Sequence, residues 1–348
     1  MISASHNPMP DNGIKLFQRG GEKLADDVEA LVEARIGEPW QRPTGAAVGR
    51  VINDDQLVNK YIEHLLSTID LSLTGLKVVV DCANGASSFT APLALSRAGA
   101  EVIAIANTPD GWNINDGVGS THLDYLRSAV LKNGADVGIA HDGDADRCLA
   151  IDATGAEIDG DVIMAILAKG FKANGKLKAN TVVGTVMSNL GFMHAMAESG
   201  IEVVTTAVGD RYVLEAMLQS DFNLGGEQSG HVIMRDHANT GDGLLTALQL
   251  LAEVKRSGQT LQELARVMVR FPQVLINVKN VAKERLSTST VIAEAVKAAE
   301  LELGSNGRVL LRASGTEPLV RVMVEAQSDA VAQGVAQKLA QVVESELK

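Results

Sequence analysis

The sequence predicts an α/β protein made of tandem units. From Gly75 onward short β-branched runs alternate with longer amphipathic stretches, the runs are apolar throughout as in buried parallel strands, and the same grammar occurs twice in succession. A chain of 348 residues also exceeds one ordinary core.

The elements follow in order. Lys77–Asp81 (KVVVD), 101–106 (EVIAIA) and 136–140 (DVGIA) read as strands, with helices near 91–97 and 122–132. They form one α/β domain over 55–157. The next, 158–270, repeats the pattern: a helix at 161–172, strand Thr181–Thr185, a helix at 191–198, a strand at 202–207 and a helix after Gly209. Helical periodicity at 244–254 and 261–267 ends at Phe271-Pro272. From 271 to 348 the order is β-α-β-β-α: strand 274–278, helix 290–300, strands 308–312 and 320–326, helix 330–344. Residues 1–54 are the odd part. They open on Met1-Ile2-Ser3-Ala4-Ser5-His6-Asn7-Pro8, a polar loop with no strand or helix before it, and are expected to be the remnant of an incomplete first domain with that loop poorly anchored.

Composition narrows the function. Hydrophobic residues make up 46% of the chain, yet no run is long enough to span a bilayer and no charged-then-apolar leader opens it, so a cytoplasmic protein without a membrane partner is expected. A net charge of -12 disfavours nucleic acid. Cys82 and Cys148 are far apart and lack metal-ligand spacing, which argues against a disulfide framework or a zinc site. A small anionic substrate would need local clusters of cations or backbone N–H groups.

Four loops have that character. Asp142-Gly143-Asp144-Ala145-Asp146-Arg147 follows a strand and sets three carboxylates within five residues. Such groups repel unless a cation sits among them, and Mg²⁺ suits them better than Ca²⁺. Arg147 could then pair with a phosphate. A solvated acidic turn is the plain alternative; an EF-hand is excluded because Arg147 and Ala153 stand where it needs Gly and Glu. A phosphatase with an aspartate nucleophile after its strand stays in competition. Arg312-Ala313-Ser314-Gly315-Thr316-Glu317-Pro318, with Arg321 downstream, offers guanidinium, hydroxyl and backbone N–H groups as a phosphate cradle; an ordinary Ser-Gly-Thr turn explains it about as well. Gly225-Gly226-Glu227-Gln228-Ser229-Gly230-His231 would let a ligand approach backbone while Glu227 accepts from hydroxyls, and Gly209-Asp210-Arg211 enters a helix that Asp210 could simply cap. Ser5-His6-Asn7-Pro8, with Lys15 beyond, supplies a hydroxyl, an imidazole and an ammonium. No P-loop occurs, and Gly117-Val118-Gly119-Ser120-Thr121-His122 lacks the third glycine of a dinucleotide fingerprint.

Together these loops resemble the α-D-phosphohexomutase superfamily, whose S-H-N-P, D-G-D-x-D-R, G-G-E-x-S-G-H and R-x-S-G-T-E-P motifs all occur here in order. The resemblance implies tandem α/β mutase domains with mixed sheets plus the C-terminal domain. It implies a phosphorylated Ser5, one Mg²⁺ held by Ser5, Asp142, Asp144 and Asp146, and proton transfer by His6 or Lys15. Lys15 is favoured, with a pKa lowered by metal and nearby cations. Arg147, Arg211, Glu227, Ser229 and His231 would contact the sugar phosphate, and Arg312, Ser314, Gly315, Thr316 and Arg321 its distal phosphate. Gln228, the 79–86 segment (VVDCANGA), Asn113-Ile114-Asn115, the 208–213 segment and the 314–325 segment resemble the bacterial branch that interconverts glucosamine 6-phosphate and glucosamine 1-phosphate. That reaction passes through a 1,6-bisphosphate, is primed by glucose or glucosamine 1,6-bisphosphate, and supplies UDP-N-acetylglucosamine synthesis. A phosphomannomutase/phosphoglucomutase specificity is the nearer alternative, and a sugar-phosphate-binding fragment without activity the farther one. A monomer or homodimer is expected. Superfamily members carry roughly a further domain's length before the serine loop, so this chain reads as truncated at its start.

Overall fold

The β-branched runs become strands because their side chains can be buried on both faces. Val78, Val79 and Val80 are fully buried in Lys77–Asp81, the centre of a parallel trio with Glu101–Ile105 on one side and Val137–Ala140 on the other. The fold is a computed structural model that describes residues 1–21, 23–54, 56–314 and 317–348. It divides into two compact units, residues 1–187 with 199–267, and residues 188–198 with 268–348.

In the first unit the trio is extended by antiparallel Leu149–Asp152 and Glu157–Ile158, giving a five-stranded mixed sheet. Helix Asp124–Asn133 packs on it so closely that a Cβ at Gly138 would lie 2.5 Å from Val130 Cγ2. A second, four-stranded sheet runs Val232–Met234, Leu224–Gly226, Thr181–Thr185, Glu202–Thr206, with only the first pair antiparallel. Helices Gly160–Ala173, Asp210–Ser220 and Gly243–Ser257 belong to this part. In both sheets the loops that carry the motifs leave the carboxyl ends of parallel strands, where open α/β sheets place ligands.

The opening loop is anchored, contrary to expectation. Ile2–Ser3 pairs antiparallel with Gly13–Ile14, and Met1 and Lys15 exchange backbone bonds of 2.8 Å beyond that ladder. A short hairpin therefore closes around residues 4–12, a pairing hidden in sequence because two residues per strand show no alternation.

The second unit holds an antiparallel sheet in the order Gln273–Lys279, Leu319–Ala326, Gly307–Ala313, backed by helices Thr290–Leu303 and Asp329–Leu347. The core is Val320, Val322 and Val324 against Ala336, Leu339 and Val343. Helix Leu190–Glu198, expected in the third domain, groups with this unit. Leu190 and Asn189 bond there to Glu325, which is fully buried and accepts from Arg308 Nε (2.6 Å), Leu190 N (2.9 Å) and Asn189 Nδ2 (3.1 Å). Glu325→Ala leaves a mostly buried guanidinium without its carboxylate partner, with the Ser188 carbonyl as a remaining acceptor, and should cost about 3 kcal/mol. Urea unfolding of the variant measures this, and a loss below about 1 kcal/mol would show the network to be dispensable. Among the described residues no helix is long and apolar enough to cross a membrane.

Candidate active site

Two loops of the first unit meet at the carboxyl end of its mixed sheet. After strand Val137–Ala140 the chain turns through Asp142 to Arg147, with Ala145 in the left-handed region at φ 61°. That turn is pinned from several sides. The His141 ring donates through Nδ1 to the Arg147 carbonyl at 2.9 Å, Arg147 N–H donates to Asp142 Oδ1 at 3.2 Å, and Gly243 N–H donates to the Ala145 carbonyl at 2.9 Å. Asp242 caps the helix that Gly243 opens, accepting from Leu245 N–H, and the single Tyr61 hydroxyl proton is shared between its two carboxylate oxygens. Burial pushes His141 down to about 4, so it stays a neutral donor.

The serine loop lies directly against this turn. Gly143 N–H donates to the Ser5 carbonyl at 3.1 Å. The Ser3 hydroxyl donates to Asp144 Oδ2 at 2.6 Å and accepts from Ser5 N–H at 2.8 Å. Lys15 Nζ reaches the same Asp144 oxygen at 2.5 Å, and the Ser5 hydroxyl lies 3.3 Å from His6 Nδ1. Ser5, His6, Lys15 and the three aspartates, distant in the chain, thus share one site.

The acidic turn suits a cation. Ligand atoms of Asp142, Asp144 and Asp146 lie within 4.8 Å of one another. Asp142 Oδ2, Asp144 Oδ1 and Asp146 Oδ1 are buried without a hydrogen-bond partner among the described residues, with Arg147 Nε no nearer than 3.8 Å to the first and 4.0 Å to the last. Orphaned buried carboxylate oxygens are costly, and three of them around one point fit a hard divalent ion such as Mg²⁺. The charges are already strained: burial and the neighbouring Asp146 and Asp144 raise Asp142 to about 7. Asp146, despite its burial, is held at about 2 by His231, Lys15 and Arg147. For Lys15 the chain's own groups act against the lowering expected from a metal and nearby cations. Partial burial lowers it, but the bond to Asp144 and the charges of Asp144, Asp146 and Asp142 outweigh that and raise its pKa. His6 is lowered, by burial first and by Arg147 second.

The Gly-Gly-Glu loop is stitched to the metal loop. Arg147 and His231 form an antiparallel bridge, and Cys148 N–H donates to the Gly230 carbonyl at 3.0 Å. Glu227 accepts from Gly209 N–H at 2.9 Å, which joins the Gly209-Asp210-Arg211 turn to this loop. Ser229 is exposed and Arg211 pairs with Glu215 on its own helix at 2.9 Å. His231 is buried, with Nδ1 at 3.5 Å from Asp146 and Nε2 accepting from Gly241 N–H at 3.1 Å. Burial lowers its pKa, and the carboxylates of Asp146, Asp210 and Glu227 more than reverse that. Lys23, not foreseen in sequence, holds Asp210 at 2.6 Å.

The second unit carries the remaining loop by itself. Arg312 and Arg321 stand opposite each other across the antiparallel ladder. Like charges in register repel, and an anion between them would relieve the repulsion. Ser314 is buried and its hydroxyl accepts from Glu317 N–H at 3.2 Å, while Lys283 donates to the carbonyls of Ser314 and Glu317. Lys283 gave no signal in sequence. Gly315 and Thr316 lie outside the described residues.

Comparison with known proteins identifies the family. Models of the phosphoglucomutase/phosphomannomutase family match at residues 1–42 (alpha/beta/alpha domain I), 59–155 (domain II), 159–271 (domain III) and 275–342 (C-terminal domain). Each of the four therefore finds a segment, and the expectation of an incomplete first domain gains no support from them. The phosphoglucosamine mutase of Streptomyces griseus is 60% identical over 352 residues, covering 100% of this chain and 78% of that protein. That of Thermobifida fusca is 61% identical over 347 residues, covering 100% and 77%. Among solved structures, Aspergillus fumigatus N-acetylphosphoglucosamine mutase in complex with GlcNAc-6P and magnesium superposes with a TM-score of 0.78 at 18% identity, covering 100% of this chain and 89% of that one. A Burkholderia thailandensis phosphoglucomutase/phosphomannomutase family protein gives 0.78 at 23%, covering 99% and 75%. With four successive domain models matched and relatives about 60% identical along its whole length, the chain belongs to the phosphoglucomutase/phosphomannomutase family.

Proposed function

We propose that this chain is an isomerase that interconverts glucosamine 6-phosphate and glucosamine 1-phosphate by lending a phosphoryl group from Ser5 and recovering it. The observation that carries the reading is the junction of the serine loop with the acidic turn, where the Ser3 hydroxyl and Lys15 Nζ converge on Asp144. The sugar preference rests on the curated relatives, named phosphoglucosamine mutases. A cytoplasmic location follows from such a substrate.

Asp142, Asp144 and Asp146 would hold a magnesium ion, which when bound would supply charge neutralisation at the transferring phosphoryl group. The remaining chemistry belongs to the chain. The phosphorus–oxygen bond at Ser5 Oγ breaks as a bond to the free sugar hydroxyl forms, and the proton of that hydroxyl passes to Lys15 or His6. The resulting 1,6-bisphosphate turns around, and Ser5 takes back the other phosphoryl group as the proton returns to the sugar oxygen. Lys15, whose pKa is raised by its carboxylate neighbours, must release Asp144 and give up a proton to solvent before it can act as a base. Arg312 and Arg321 would grip the phosphate that does not react, and Glu227 and Ser229 the sugar hydroxyls. Arg147 and Arg211 would add cationic contacts, and His231 would steady Asp146 from behind. Glucose or glucosamine 1,6-bisphosphate would first load Ser5.

Phosphorus NMR tests this directly. With glucosamine 6-phosphate, Mg²⁺ and a trace of glucose 1,6-bisphosphate, a resonance of glucosamine 1-phosphate should grow while inorganic phosphate stays flat. Release of inorganic phosphate alone would replace the mutase by a phosphatase.

A further inference from the structure

Asn115 stands in a turn of the first unit and is 4% exposed, with φ at 57°. Its amide Nδ2 donates one bond to the Ser5 carbonyl and one to the Asn7 carbonyl, both at 2.8 Å. An amide nitrogen has two hydrogens, so both are spent on the serine loop. Its own N–H donates to the Ala83 carbonyl at 3.0 Å, tying the turn to the end of strand Lys77–Asp81, beside the strand that feeds the acidic turn. We propose that Asn115 is a positioning residue that seats the phosphoryl-carrying serine against the acidic turn, by clamping two carbonyls of its loop.

Three observations support this beyond the contacts. Ser5 has φ 52°, a left-handed conformation that a serine keeps only where its surroundings impose it. The Ser5 carbonyl accepts from both Asn115 and Gly143, so its two lone pairs are filled from the side of the acidic turn. Among the described residues the loop is tied to Asp144 by the side chains of Ser3 and Lys15, and Lys15 is a group that the reaction must mobilise. A clamp made by a neutral amide does not titrate and holds while Lys15 moves. Asparagine is also the residue that both tolerates a left-handed backbone and offers two donors.

The inference rests on Ser5 being the phosphoryl carrier only for its catalytic consequence, and the test separates the two. Asn115→Asp keeps shape and backbone preference but turns a donor towards two acceptors into a repelling oxygen; Asn115→Gly removes the side chain at no backbone cost. Hydrogen–deuterium exchange of the segment 1–12 should quicken about tenfold or more in both, with strand Lys77–Asp81 still protected. In turnover, kcat should fall about 100-fold, the loss expected for a reacting group misplaced by about 1 Å. KM for glucosamine 6-phosphate and the Mg²⁺ concentration for half-activation should stay within about threefold, a split that general destabilisation would not produce. Unchanged exchange in both variants overturns the proposal. So does loss of protection in strand Lys77–Asp81, or a kcat within about threefold. If the unsubstituted chain does not interconvert the sugar phosphates, the mutase reading falls and the exchange result alone decides the clamp.

Discussion

Replacing Asp142 with asparagine is expected to abolish cation-dependent turnover while making the cation-free protein more stable at pH 8. Asp142 is fully buried beside two further carboxylates, and its pKa is raised to about 7 by burial first and by Asp146 and Asp144 next. A carboxyl raised in the folded state binds more protons there than in the unfolded chain, so stability falls as pH climbs from about 4 through about 7. Above that window the ionised form is carried at a cost. One pKa unit is worth about 1.4 kcal/mol, and because Asp142 and Asp146 share the repulsion the gain in Asp142→Asn should be on the order of 2 kcal/mol. The Arg147 N–H bond to Oδ1 can survive in the amide, so the turn need not collapse. Removing one of three anionic ligands should nevertheless lower turnover at least about 10³-fold. In the unsubstituted protein a proton competes for the same oxygen, so Mn²⁺ affinity should weaken about tenfold per pH unit below about 7. Urea titrations across pH and Mn²⁺ binding followed by electron paramagnetic resonance measure both. A variant that turns over within about tenfold of the parent would take Asp142 out of the cation site.

What the sequence disclosed and what it hid divide along physical lines. Strands Lys77–Asp81 and Thr181–Thr185 have the bounds read from their β-branched runs, because such runs have few other low-energy fates. The acidic turn was legible because three carboxylates in five residues carry their own electrostatic problem. The strands Leu224–Gly226 and Val232–Met234 were not, since the two glycines of the first read as loop, the second is only three residues long, and their pairing spans a motif. Asn115 gave no sign of its contact with Ser5, because an asparagine in a polar turn looks alike whether it faces water or a carbonyl distant in the chain. The chain's own groups raise the Lys15 pKa because carboxylates crowd it, a balance set by placement, whereas the lowering expected from a metal and nearby cations belongs to the metal-bound state. Helix Leu190–Glu198 sits with the last unit through Glu325, a long-range bond that periodicity cannot encode.

Gly143→Ala is expected to cut kcat about 10²- to 10³-fold while leaving the cation site able to bind. A Cβ at this position would lie 2.6 Å from the Ser5 carbonyl oxygen, 2.6 Å from Asn115 Nδ2 and 2.8 Å from Ile114 Cδ1. Contacts that short must be relieved by movement, and one partner is backbone. Gly143 is itself held, its N–H on Ser5 and its carbonyl accepting from Ala86 N–H at 2.9 Å, so the serine loop is the part that gives way. Its φ is not in the left-handed range, so alanine adds no backbone strain and the effect isolates the lost seat. Gly117 is the control: its φ is 66° and nothing lies within 4 Å of its Cβ, so Gly117→Ala should cost about 1–2 kcal/mol of stability and leave kcat unchanged. The carboxylates flanking Gly143 point into the acidic turn, so Mn²⁺ affinity in Gly143→Ala should stay within about fivefold of the parent. Loss of kcat with retained cation binding would locate the damage at the contact between the two loops. A Gly143→Ala protein with kcat within about threefold of the parent would mean that Ser5 does not work from the seat this contact defines.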